Sequence, residues 1–98
     1  MNDEFGQTEL YVEGKELARL RALDTAQKTR VLRKLESALA AADVYVVLSF
    51  EPHTETVHIK FTRYSQKPEI MVNVHMDNAA AMLYDIFKQA GPELVAEA

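Results

Sequence analysis

The sequence predicts an α+β domain: a three-stranded antiparallel meander with two main helices on one face, in the order α-β-β-β-α. Three observations carry that prediction. Between Val44 and Met76, apolar and polar residues alternate at period two in runs separated by turn-forming residues, the mark of a sheet with one face in a core. Ahead of that stretch, from Asp24, apolar residues return at helical spacing. Behind it, from Ala79, they do so again.

The first strand, Val44 to Phe50, is built of β-branched and aromatic residues and contains neither Gly nor Pro. The second, Thr56 to Tyr64, sets Val57, Ile59 and Phe61 against His58, Lys60 and Thr62. The third, Glu69 to Met76, sets Ile70, Val72, Val74 and Met76 against Met71, Asn73 and His75. Pro52 and Pro68 fall in the two connections, where the missing N–H costs no ladder bond. Tight closure of both hairpins pairs Glu51 with Thr56 and Tyr64 with Glu69. The open face then carries the rows Ser49/His58/His75, Val47/Lys60/Asn73 and Tyr45/Thr62/Met71.

Asp24 reads as an N-cap with Gln27 as its capping-box partner. Val31, Leu32, Leu35, Ala38, Leu39 and Ala42 follow on one arc, with Arg30, Arg33, Lys34 and Ser37 opposite. Asp77 reads as the cap of the last helix, whose stripe is Leu83, Ile86, Phe87 and Ala90, flanked by Met82. Gly91-Pro92 predicts its stop, leaving residues 92–98 as a loose tail. At the other end, residues 1–8 read as a disordered polar lead. Glu9 to Glu13 alternates briefly and suggests a short edge strand, and Lys15 to Leu23 a short helix or a further strand.

Ninety-eight residues make one domain. A chain of that size buries roughly 60–70% of its unfolded surface, enough for a core without staples. Cysteine is absent, which removes disulfides and thiolate metal sites and fits a reducing compartment. No apolar run approaches the ~18 residues of a membrane span. These features predict a soluble, cytoplasmic protein.

The net charge of −4 conceals an uneven layout. Residues 1–14 hold four acids and no base, whereas 15–34 hold seven bases against Glu16 and Asp24. Such a basic stretch is either a contact for a polyanion or a solvated helix face. Arg19, Arg21, Arg30, Arg33 and Lys34 are the candidate nucleic-acid contacts. The order of elements resembles that of double-stranded RNA-binding domains, which straddle phosphates with a basic cluster at the start of the last helix. Here that position reads Met76-Asp77-Asn78-Ala79-Ala80-Ala81 without a base, so the resemblance carries over no binding residue.

His53, His58 and His75 gather at one end of the sheet in the predicted register, with His58 facing His75. That makes them candidate metal ligands, or a pair that would repel when protonated. Ser49, His58 and an acid such as Glu51 are present, but Ser49 lies in a strand. The three glycines, at 6, 14 and 91, build neither an oxyanion loop nor a phosphate cradle. No enzyme activity and no cofactor are expected.

The open face is the stronger candidate. Tyr45, Val47, Lys60, Thr62, Tyr64, Met71 and Asn73 form the expected partner-binding set, since Tyr and Met offer large adaptable contact area. The first strand is apolar on both sides at a meander edge, which invites pairing with another chain unless Leu10 to Val12 covers it. The sequence thus predicts a small non-catalytic interaction or regulatory module that forms a homodimer through the open face or that edge. The alternatives are a nucleic-acid-associated protein, or an acidic decoy that inhibits a nucleic-acid enzyme.

Overall fold

A computed structural model describes residues 2–63 and 67–97, with 2–13 defined as helical backbone. The predicted order is found: α1 (Asn2–Ala41), β1 (Val46–Glu51), β2 (Thr56–Phe61), β3 (Ile70–Asn73) and α2 (Ala79–Glu97). The sheet is antiparallel in the order β1-β2-β3. Leu48, Val57, Ile59, Val72 and Val74 point from it into a core closed by Leu32 of α1 and by Met82 and Ile86 of α2. No helix among the described residues is long and apolar enough to cross a membrane.

The first hairpin has the predicted register, with Glu51 opposite Thr56, Ser49 opposite His58 and Val47 opposite Lys60. The second does not. Thr56 faces Asn73 and His58 faces Met71, a displacement of four residues along β3. An even displacement leaves every side chain on its own face, so the core pattern is indifferent to it. The last pair of this ladder is Ile59 with Ile70, and Lys67, ahead of β3, lies at the end of α2. There its ammonium binds Glu97, lies 3.7 Å from Glu93 and sits 4.5 Å from the centre of the Phe61 ring.

Helix α1 corrects the reading of the N-terminal third. Neither a strand at Glu9 to Glu13 nor a cap at Asp24 forms; helical backbone runs unbroken from Asn2, including residues 2–8. Asp24 instead accepts an ion pair from Lys28 one turn on, at 2.9 Å. Forty residues at ~1.5 Å each span about 60 Å, and the molecule measures 65 × 22 × 21 Å. The helix therefore outruns the sheet, and Leu17, Leu20 and Leu23 are about half exposed. Within the body Leu32 is buried, with Val31, Leu35 and Leu39 packed against the core. Ala38 and Ala42, expected in the stripe, are exposed.

The helix ends in a left-handed residue, Asp43, at φ 63°. The N–H of Val44 reaches the carbonyl of Leu39 at 2.8 Å, and that of Asp43 the carbonyl of Ala40 at 3.0 Å. This double closure satisfies the orphan carbonyls and aims the chain into β1.

Two corrections apply to α2. Its cap is Asn78, whose side-chain oxygen accepts the N–H of Ala81 at 2.8 Å. Its buried stripe is Ala79, Met82, Ile86, Ala90 and Leu94, rotated so that Met82 is central and Phe87 stands half exposed. The predicted stop at Gly91-Pro92 is absent. Leu94 is buried in the core, and the Lys67–Glu97 pair holds the following turn, so the helix carries Pro92 in its interior.

Candidate interaction surface

The open face holds most of the residues expected there. Tyr45, Val47 and Met71 are 42%, 46% and 66% exposed, with Lys60, Thr62 and Asn73 exposed among them. The changed register alters who sits beside whom: Met71 joins the Ser49/His58 row and Asn73 lies opposite Thr56. Tyr64 lies outside the described residues. The guanidinium of Arg63 stands 5.3 Å from the centre of the Tyr45 ring, so this aromatic carries a cation of its own chain on one side.

The edge of β1 is not bare. Leu48 turns its backbone N–H and C=O outward, and both are taken by α1. Glu36 accepts the N–H at 2.7 Å, and Arg33 donates to the carbonyl while binding Glu36 at 2.6 Å. This pair occupies the outer edge at the strand's middle; the side chains of Leu10 to Val12, the expected cover, lie outside the described residues. A shallow groove of about 360 Å³ runs beside it, lined by Arg33, Glu36, Ser37, Tyr45, Val47 and Thr62.

The histidines do not gather. His58 binds Glu69 through Nδ1 at 3.0 Å, His75 binds Glu55, and His53 is exposed in the β1–β2 turn. Among the described residues no three His, Cys, Asp or Glu side chains stand close enough to hold a metal. The facing imidazoles disappear with the expected register, because Met71 takes the place assigned to His75. The His75 hydrogen bond holds the Glu55 carboxyl below its ordinary value. Glu55 also accepts the N–H of Met76, and Glu55 and Met76 both have left-handed backbone. Ser49 is the cross-strand neighbour of His58, and among the described residues no hydrogen bond joins their side chains.

The basic candidates are scattered by use. Arg19 binds Glu16 at 2.5 Å, and Arg33 is committed to Glu36 and Leu48. Arg21 lines a cleft of about 910 Å³ between α1 and the β1–β2 turn, together with Asp24, Phe50, His53 and Glu55. Arg30 and Lys34 stand exposed.

Lys28 was missed. It is 1% exposed, bonded to Asp24 and 4.9 Å from the Phe50 ring centre. Its position one turn before Leu32, in line with Leu35 and Leu39, placed it on the buried stripe; its residue type argued for the solvated face. Beside it, hydrogen bonding to Asp85 and burial push the Asp77 carboxyl above its ordinary value.

The chain resembles nothing in the comparisons. No protein-family description, no curated relative and no solved structure matches it.

Proposed function

We propose that the chain is a non-catalytic interaction module that self-associates through its open sheet face, in the reducing setting its lack of cysteine suits. The observation behind this reading is the apolar exposure of Tyr45, Val47 and Met71 on a face that neither helix covers. Tyr45 and Val47 on the β1 side and Met71 on β3 flank His58 and Lys60 of the central strand, a mixture of aromatic, thioether and polar groups of the kind found at contact surfaces. The open face supports the reading better than the β1 edge does, since Glu36 and Arg33 already occupy that edge at Leu48.

The basic helix face gives weaker support to a nucleic-acid role, because Arg19 and Arg33 are tied to carboxylates of their own helix. Light scattering on the wild type and on Tyr45→Glu/Val47→Lys tests the proposal. The variant should lose mass toward the 11.1 kDa monomer while keeping its circular dichroism. An unchanged mass removes the sheet face as the contact.

A further inference from the structure

The cleft between α1 and the β1–β2 turn, about 910 Å³ in volume, falls within the size of small-molecule sites, roughly 300–1,000 Å³. Its apolar lining comes from both elements. On the helix, Ala18, Ala22 and Ala26 follow at steps of four residues, which stacks them one turn apart on one side of α1. Their methyl groups keep that wall low, so the space in front of it stays open. The other element contributes Pro52 of the turn and Phe50, a half-buried ring packed against the core.

The charged groups of the cleft are of two kinds. Its carboxylates are committed within the chain. Asp24 is bonded to Lys28 at 2.9 Å, and Glu55 to His75 and to the N–H of Met76. Its donors are not. Among the described residues, the Arg21 guanidinium and the His53 imidazole make no ion pair, side-chain hydrogen bond or ring contact. Arg21 comes from the helix and His53 from the turn, so a molecule in the cleft meets free donors from both elements. An anion satisfies them with charge-assisted hydrogen bonds, about twice as strong as neutral ones. A cation meets the Arg21 charge with both acids already neutralised.

We propose that this cleft binds a small organic carboxylate with a flat apolar body. The body lies between the alanine wall and Phe50 with Pro52. The carboxylate sits between Arg21, whose planar fork accepts two oxygens at once, and His53. The site shares no residue with Tyr45, Val47 and Met71 of the open face, so it is compatible with a contact there and does not depend on one.

Three probes separate the parts of this claim, read by amide NMR shifts on the full chain. Naphthoate carries both the flat body and the charge, naphthylmethanol keeps the body alone, and acetate keeps the charge alone. Naphthoate is expected to shift residues 18–26 and 50–55 and to saturate with a Kd of about 1 mM or tighter. Naphthylmethanol should bind about tenfold more weakly, the worth of one good charge-assisted contact, and acetate should not saturate. Equal binding of naphthoate and its neutral alcohol overturns the proposal, as does acetate reproducing the naphthoate shifts. So do naphthoate shifts that fail to saturate or that centre elsewhere on the molecule.

Two variants tie the binding to the cleft. Arg21→Gln should weaken naphthoate about tenfold and leave naphthylmethanol unchanged. Ala22→Leu sits at an exposed helix position and keeps a strong helix former, so the fold should hold while its side chain fills the cleft and abolishes the binding of both. Naphthoate binding that survives either substitution unaltered overturns the assignment.

Discussion

Glu36 of α1 accepts the outward backbone N–H of Leu48 in β1 at 2.7 Å, so a helix side chain takes the hydrogen bond that a neighbouring strand would otherwise make. Arg33 completes the arrangement from the same helix, binding the Leu48 carbonyl and the Glu36 carboxylate together. An edge strand with an apolar outer face is a template for pairing with other chains. Here the template is blocked at its centre by two side chains spaced three residues apart on one helical turn.

Glu36→Ala should therefore destabilise the fold by about 1–3 kcal/mol, the range for losing a hydrogen bond to a charged group. It should also raise aggregation, because Leu48 regains a free outward N–H. Urea unfolding gives the first effect and turbidity at raised concentration the second. A variant as stable and as soluble as the wild type would show that the edge needs no such guard.

Lys28 separates packing from charge. Its stem is buried on the stripe with Leu32, and its ammonium meets Asp24 and the Phe50 ring. Lys28→Met keeps the stem's volume, and Asp24 is exposed enough to be hydrated once alone. The change should stay within about 1 kcal/mol of neutral, as replacement of a buried charge often does. Lys28→Ala opens a cavity and should cost about 2–4 kcal/mol. Equal losses in the two variants would mean that the charge, and not the stem, holds this position.

Asp77 predicts a pH dependence. The hydrogen bond with Asp85, and burial, raise its carboxyl above the ordinary 3.8, and its Oδ2 is buried without a hydrogen-bond partner among the described residues. In the window from 3.8 up to the raised value, the folded chain binds more protons than the unfolded one. Stability contributed by this group is thus present below that window and falls as pH rises through it. Asp77→Asn keeps a polar partner for Asp85 and cannot ionise. It should melt higher than the wild type at pH 7, and the gap should close as pH falls toward 3.8. A variant that melts lower at pH 7, or a gap that ignores pH, would refute this account.

What the sequence conveys about this fold follows from which interactions are local. Val57, Ile59 and Phe61 announce their face by alternation alone, and with them Tyr45, Val47 and Met71 are placed on the open side. Strand pairing beyond the first turn is another matter. Tight loop closure pairs His58 with His75, whereas the structure pairs it with Met71; the offset is even and keeps every side chain on its face, so alternation does not report it. The same holds for Lys28. Its spacing pointed inward while its charge pointed outward, and only the presence of Asp24 and Phe50 around it decides between them. The unbroken course of α1 was hidden because Gly14 and the cap-like Asp24 both read as boundaries.

Gly91 offers the sharpest contrast between the two readings. A glycine followed by proline predicts a left-handed helix stop, and alanine at a left-handed position is costly. In the structure Gly91 lies within α2, its φ is not positive, and a β-carbon built there meets nothing within 4 Å. Alanine at such a site restricts the unfolded chain and favours the helix, so Gly91→Ala should stabilise by about 0.5–1 kcal/mol. The last turn beyond it depends on the Lys67 ammonium, whose loss in Lys67→Met should fray residues 93–97 and speed their amide exchange. If Gly91→Ala lowers the urea midpoint instead, the helix ends where the Gly-Pro pair says it does. Leu94 would then owe its burial to something other than helical phase.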